Sequence, residues 1–178
     1  MAHLLLLTLL SLLLLSSVHG QAPPQPSPSP SPPLSGPAQE FLETHNQARA
    51  EVGVGPLKWS PHLANATARL VMYQRVKKNC EFADMSSSKI KYGTNQLWAQ
   101  GAAVSPKTAV NAWVAEKKYY NHTSNSCVGN QQCGVYTQVV WRKSMELGCS
   151  QTSCVKNGSF LTVCFYNPPG NIVGESPY

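Results

Sequence analysis

Residues 127–141 read Cys127-Val-Gly-Asn-Gln-Gln-Cys133-Gly-Val-Tyr-Thr-Gln-Val-Val-Trp141. Two closely spaced cysteines lead directly into a run of apolar and β-branched residues, a composition typical of a buried strand. We therefore predict a strand over Thr137–Arg142. All six cysteines of the chain lie between Cys80 and Cys164. An even number of clustered cysteines indicates a domain stabilised by three disulfide bonds in an oxidising compartment.

The first twenty residues predict the compartment. Residues 1–20 combine a leucine-rich run, Leu4–Leu15, with Val18 and Gly20 just before a cleavage point, as secretory signal peptides do. The run is too short to span a bilayer, and no later stretch is long and apolar enough, so we expect no membrane-spanning segment. We predict a secreted, extracellular protein, located in the apoplast or the cell wall if the source is a plant.

A stretch rich in proline and serine follows, at residues 21–37. Proline fixes φ and has no N–H to donate, so this stretch is predicted to be a disordered, extended arm without a core. It could act as a spacer, or it could tether the protein to a cell wall through modified Ser-Pro repeats. The globular domain is predicted to span residues 38–178.

Capping signals and periodicity predict the elements of that domain. Ser60-Pro61 and Ser105-Pro106 each place a capping serine before a proline at the first helical position. A further helix is predicted from Phe41, ending before Gly53. The predicted strands, besides Thr137–Arg142, are Asn95–Ala99, Glu146–Gln151 and Ser159–Tyr166, the last two joined by a turn at Asn157-Gly158. This pattern predicts an α+β fold, a three-layer α-β-α sandwich with a short antiparallel sheet.

The predicted hairpin constrains the disulfides. Cys149 and Cys164 lie at nearly facing positions on its two arms, close enough for a cross-strand bridge. Cys127 and Cys133 can close a small loop, which leaves Cys80 to pair with Cys154. Other pairings of six cysteines remain open at this point.

The chain carries a formal net charge of +6. A basic secreted domain is attracted to anionic surfaces such as pectin-like polymers or microbial membranes. No basic stripe with interleaved aromatic residues is present, so we expect no nucleic-acid partner.

Several stretches match, in order, the motifs of one family. His45-Asn46-Gln47-Ala48-Arg49 is similar to a His-Asn-x-x-Arg helix, Ala112–Glu116 to a Trp-x-x-Glu helix, and Gly134–Trp141 to Gly-His-Tyr-Thr-Gln-Val-Val-Trp. With the ending Pro168–Tyr178, these stretches resemble the CAP superfamily (cysteine-rich secretory, antigen-five and pathogenesis-related proteins), in its plant pathogenesis-related class-one-like branch. The resemblance covers residues 38–178. It implies the sandwich fold and suggests the same disulfide pairing.

The resemblance also locates a cleft, which in the family carries two histidines and two glutamates, a donor set suited to a zinc-like ion. Here Thr94 occupies the position of one glutamate and Val135 that of one histidine, and the other histidine is also missing. Glu116 is retained, with Asp84 as a candidate neighbour. One or two carboxylates without imidazole do not form a zinc site, so we predict no metal and no cofactor. Weak calcium or magnesium binding by Asp84 and Glu116 is an alternative. Another is that Glu116 only accepts hydrogen bonds from neighbouring backbone or from Thr94.

No other catalytic arrangement is recognisable. His45 is expected to be a hydrogen-bonded helix residue, every cysteine is assigned to a bridge, and no Gly-x-Ser-x-Gly motif occurs. We therefore predict that the protein is not an enzyme, and a metal-dependent hydrolase is the last of the hypotheses.

The leading hypothesis is a secreted defence protein that binds sterols, lipids or cell-wall polysaccharide as a monomer. One alternative is a precursor of a defence-signalling peptide, residues 168–178. Another is a wall-associated structural glycoprotein. Three sequons are candidates for N-glycosylation: Asn121, Asn65 and Asn157.

Overall fold

The computed structural model describes residues 34, 36–86, 91–101, 103–154 and 158–178. The predicted signal peptide and nearly all of the proline-rich arm lie outside these residues, as does Asn157. The boundaries at residues 20 and 37 therefore stay predictions. No helix in the described part of the chain is both long enough and apolar enough to cross a membrane.

Among the described residues, four α-helices and a short 3₁₀ helix form the helical part of the fold. The helices are α1 (Pro37–Ala50), α2 (Pro61–Lys77), α3 (Pro106–Val114) and α4 (Gly134–Val139), and the 3₁₀ helix is Ala115–Tyr119. The two predicted Ser-Pro starts are confirmed. The Ser60 side chain accepts a hydrogen bond from the backbone N–H of Leu63, and Ser105 accepts one from Thr108.

Four strands form the central sheet. The strands in the described part of the chain are β1 (Lys58–Trp59), β2 (Gly93–Gln100), β3 (Tyr120–Asn121), β4 (Ser126–Cys127), β5 (Glu146–Cys154) and β6 (Ser159–Asn167). The main sheet has the order β1-β5-β6-β2, and β3 pairs with β4 separately. The β5–β6 and β6–β2 pairs are antiparallel, as predicted, whereas the short edge strand β1 is parallel to β5 and was not predicted.

Helices cover both faces of the sheet, which confirms the predicted three-layer architecture. Alternate residues of β6 supply the two cores, because successive side chains of a strand point to opposite faces. Leu161, Val163 and Phe165 pack toward α2. Cys164 and Tyr166 join the larger core against α1, α3 and α4. Full burial of each large apolar side chain contributes about 1.5–3 kcal/mol relative to exposure.

Three disulfide bonds staple the domain, as the cysteine count predicted. Cys149 and Cys164 are directly opposite each other in the β5–β6 register, with Cα atoms 4.1 Å apart. The other two bonds join Cys80 to Cys154 and Cys127 to Cys133. The Cys80–Cys154 bond ties the end of α2 to the end of β5, so it fixes the segment that connects α2 to the sheet.

The strand predicted over Thr137–Arg142 is wrong. The apolar run begins as the helix α4 (Gly134–Val139), and Val140 and Trp141 continue it as buried, irregular backbone. A short apolar run that is buried on all sides has no exposed face to reveal its period, so its β-branched composition was misleading. The consequence is that Val135 lies at the start of a helix, beside the 3₁₀ helix that carries Glu116.

Candidate functional site

The site equivalent to the family's cleft begins with Glu116 and Val135. Glu116 lies in the 3₁₀ helix that continues α3, and the backbone N–H of Val135 hydrogen-bonds its carboxylate. The second carboxylate oxygen, Oε2, is buried without a hydrogen-bond partner among the described residues. Burial raises the pKa of Glu116, and the Val135 hydrogen bond offsets only part of this effect.

The backbone carbonyl of Val135 is hydrogen-bonded as well as its N–H. Nδ2 of Asn95, on β2, donates to this carbonyl at 2.9 Å and to the hydroxyl of Tyr166 at 3.1 Å. Asn95 is only 1% exposed. A flipped amide would point Oδ1 at the Val135 carbonyl, where two acceptors would repel, so the amide orientation is fixed by its partners.

A buried histidine completes the hydrogen-bonded chain. Nδ1 of His45 lies 2.8 Å from the carbonyl of Phe41, which can only accept, so this nitrogen carries the proton. Nε2 of His45 then accepts from the hydroxyl of Tyr166, also at 2.8 Å. Burial lowers the pKa of His45 to about 4, so the ring is neutral at pH 7. His45 is a hydrogen-bonded helix residue, as predicted, and neither of its nitrogens is available to a ligand.

Arg49 lies one turn after His45 on α1, and it bonds the end of α4 and the segment that follows α4. Its guanidinium donates to the carbonyls of Gly55, Val139, Trp141 and Ser144 at 2.8–3.1 Å. The residue is 1% exposed, and burial lowers its pKa to about 10, so it stays charged at neutral pH. Four carbonyl dipoles thus replace the carboxylate partner that a buried arginine usually has.

The structure places the other two predicted cleft residues elsewhere. Thr94 pairs with Phe165 in the sheet, and its hydroxyl donates to the backbone carbonyl of Tyr92 at 3.4 Å rather than to Glu116. Asp84 lies in an exposed segment beside α2, where its carboxylate accepts from the backbone N–H of Ser86 at 2.9 Å. Hydrogen bonds from the side chain of Ser86 and from its backbone N–H lower the pKa of Asp84.

The donor set of this site does not suit a transition metal. It offers one carboxylate, no imidazole, and an aliphatic side chain at Val135, whereas catalytic zinc normally has about three protein ligands. Within the described residues, no group of three or more histidine, cysteine, aspartate or glutamate side chains is arranged to hold a metal ion. The site can therefore organise backbone, but it offers no metal-activated water.

The C-terminal segment packs back onto this region. Ser144 Oγ donates to the carbonyl of Pro168 at 2.8 Å, and the backbone N–H of Arg142 donates to that of Pro177 at 2.7 Å. The ring of Tyr178 stacks on His122 with centroids 4.6 Å apart. Pro168–Tyr178 is thus an integral part of the folded domain.

The described sequons differ in accessibility. Asn121, the last residue of β3, and Thr123, in the turn that follows it, are both exposed. Asn65 is exposed on α2, but the hydroxyl of Thr67 is buried and donates to the carbonyls of Leu63 and Ala64.

Comparison with known proteins agrees with this geometry. A family model described as the cysteine-rich secretory protein family, CAP, matches residues 42–166. The chain belongs to this family. The matched region extends from α1 to the end of β6, so it includes Glu116, Val135 and the whole central sheet.

Curated relatives place the chain among plant pathogenesis-related proteins. The STS14 protein of Solanum tuberosum is 63% identical over 141 residues, covering 79% of this chain and 65% of that protein. The chain thus spans slightly less than two thirds of the length of STS14. Pathogenesis-related protein 1C of Nicotiana tabacum is 42% identical over 140 residues, covering 79% of this chain and 80% of that protein. Pathogenesis-related protein 1 of Arabidopsis thaliana is 46% identical over 140 residues, with 79% and 81% covered.

Solved structures share the CAP fold. Venom allergen-like protein 4 of Schistosoma mansoni has a TM-score of 0.61 at 28% identity, covering 82% of this chain and 95% of that one. BmVAL-1 has a TM-score of 0.66 at 21% identity, covering 84% and 85%. NaASP2, solved with Zn²⁺, has a TM-score of 0.61 at 22% identity, covering 80% and 84%. The last two likenesses concern the fold alone.

Sequence reasoning identified Glu116 and Val135 but missed the residues that hold them. Asn95 and Tyr166 are 71 positions apart, and no local pattern marks them as partners. Arg49 was noted only as part of a motif. A charged residue on the apolar face of a helix is the one signal that could have indicated its buried role.

Proposed function

We propose that this CAP protein is a secreted, non-enzymatic component of plant defence that binds sterols, lipids or cell-wall material. The observation that carries the proposal is the chemistry at Glu116. The position where the family has an imidazole holds the isopropyl group of Val135, and the carboxylate is engaged by backbone. A cleft of this kind supplies neither a metal nor a nucleophile, so binding rather than turnover is the activity left to it.

Secretion and the absence of a cofactor belong to the same proposal. The predicted signal peptide, the disulfide bonds and the family of secretory proteins all support an extracellular location. Wall tethering would depend on residues 21–37, which lie outside the described residues.

The structure does not favour the alternative in which residues 168–178 are released as a peptide. That segment is held by Ser144 and Arg142, and Tyr178 packs into an aromatic cluster. Its removal would leave buried polar groups of the domain without partners.

Metal content and sterol binding test the proposal directly. Protein purified from a secreting host is dialysed, and its zinc is measured by atomic emission. We expect far less than one zinc per chain, unchanged in Glu116→Gln. Titration with a fluorescent sterol should give saturable binding. Stoichiometric zinc that is lost in Glu116→Gln would refute the non-metal proposal. Absence of saturable binding to sterols, lipids and wall polysaccharides alike would refute the binding role.

A further inference from the structure

The segment after α2 displays aromatic side chains that the core does not use. Phe82 is 57% exposed, and Trp98 of β2 is 40% exposed. Both line one cavity of about 430 Å³, together with Asn79 and Glu81. Large aromatic side chains normally contribute to a core, so two of them on one cavity wall indicate a binding surface.

This surface is rigid. The side-chain amide of Gln96 bonds both the N–H and the carbonyl of Ala83 at 2.9 Å. The buried amide of Gln74 donates to the carbonyl of Glu81 at 2.8 Å. Both neighbours of Phe82 are therefore anchored, and its exposure does not come from a loose loop. A rigid aromatic loses little entropy when a ligand binds.

The backbone turns sharply where the segment begins. Asn79 has φ of 48° and Cys80 has φ of 59°, both in the left-handed region. Asparagine tolerates this region and often follows the end of a helix in it. The backbone N–H of Cys80 donates to the carbonyl of Gln74 at 2.9 Å, so the end of α2 is fixed where it meets the segment.

A second cavity extends the surface toward α2. It measures about 340 Å³, shares Glu81 and Phe82 with the first, and continues to Leu70 and Tyr73. Tyr73 is 53% exposed. The two cavities adjoin at Glu81 and Phe82, and we call their joint lining, with the aromatic residues Trp98, Phe82 and Tyr73, the aromatic groove.

The charges of the aromatic groove select the ligand. Among the residues that the structure describes, Glu81 and Asp84 line it against one ammonium group, that of Lys78. Although the whole chain is basic, this excess of carboxylates disfavours polyanions such as polygalacturonate. Aromatic faces beside polar side chains suit a sugar ring with equatorial hydroxyls, because its C–H groups meet the negative ring face and its hydroxyls meet the polar rim.

We propose that the aromatic groove binds a neutral β-linked glucan chain. The inference rests on the proposed function and goes beyond it, because it assigns one wall component to residues other than those of the Glu116 site. A chain ligand fits better than a compact one because Trp98 and Tyr73 line different cavities that share Phe82.

Affinity electrophoresis and calorimetry with defined saccharides test the inference. The probes are cellohexaose and laminarihexaose, with polygalacturonate as the charged comparison. We expect binding to at least one of the two glucans and weaker or no binding to polygalacturonate. Trp98→Ala and Phe82→Ala should each weaken glucan binding about tenfold or more, because each variant loses an aromatic face against which a sugar ring packs. Trp98→Tyr should retain most of the affinity.

Val76→Ala is the matched control. Val76 is an exposed apolar residue of α2 that lines neither cavity, so its truncation should leave glucan binding unchanged. Circular dichroism establishes that each variant is folded. The inference is overturned if the wild type binds neither glucan, if it prefers polygalacturonate, or if Trp98→Ala binds as well as wild type. It is also overturned if Trp98→Ala abolishes sterol binding or a self-association of the wild type instead. A zinc-free, sterol-binding protein without glucan binding would sink this inference alone and leave the proposed function standing.

Discussion

The neutral, buried His45 makes a definite prediction for acid stability. Its pKa falls from 6.5 in the unfolded chain to about 4 in the fold, so the folded state binds fewer protons between these values. The contribution of His45 to the free energy of unfolding is therefore greatest above pH 6.5, and it decreases as the pH falls toward 4. Each pH unit in this window removes about 1.4 kcal/mol, so about 3 kcal/mol is lost between pH 7 and pH 4.

Neighbouring groups do not cancel this effect. Arg49 stays charged and Tyr166 stays neutral across the window, because burial lowers the pKa of Arg49 only to about 10 and raises that of Tyr166. Glu116 has a raised pKa, so its protonation favours the fold at low pH and acts in the opposite direction. The contribution of Glu116 is common to wild type and His45 variants, so it drops out of their difference.

Urea unfolding at intervals from pH 7 to pH 4 measures the effect. Wild type and His45→Gln are compared, and the variant should be less stable at pH 7 but lose about 3 kcal/mol less on acidification. Tyr166→Phe is the matched control. It removes the hydrogen bond to Nε2 while keeping the buried imidazole, so it should lower stability but keep most of the pH dependence. If the wild-type and His45→Gln curves fall in parallel, the reasoning about His45 is wrong.

Three further predictions concern positions elsewhere in the domain. Arg49→Met leaves four carbonyls without their donor and should lower the free energy of unfolding by about 4 kcal/mol in urea; a loss below about 1 kcal/mol would contradict the four-carbonyl role. Gly148→Ala places a Cβ against the backbone N of Ala64, so α2 must shift; thermal unfolding should show a loss of about 2 kcal/mol, and an unchanged melting temperature would show that α2 is not closely packed. Asn121→Gln should remove a glycan that enzymatic deglycosylation detects by mass in the secreted wild type, and equal masses would disprove modification there.

The sequence predicted those parts of the fold that local chemistry determines. Ser60 and Ser105 mark helix starts because a capping hydroxyl and the following proline act within a few residues. The facing cysteines of β5 and β6 were predictable because a hairpin sets its own register. The pattern of helices and strands predicted the three-layer sandwich, which the family resemblance also implied.

Features that depend on distant residues were not predicted. The Thr137–Arg142 prediction failed because burial on every side hides the period of a short apolar run. The parallel edge strand Lys58–Trp59 has only two residues and carries no pattern. The hydrogen bonds of Asn95 to Val135 and Tyr166 join separate elements, so only the folded chain reveals them.

The two backbone hydrogen bonds at Val135 have a consequence for substitutions at this position. Because the N–H and the carbonyl belong to the backbone, their bonds to Glu116 and Asn95 do not depend on which side chain stands at position 135. The isopropyl group of Val135 contributes only its packing against the core. A substitution there therefore changes what the site offers a ligand, while the two bonds that anchor the start of α4 are kept.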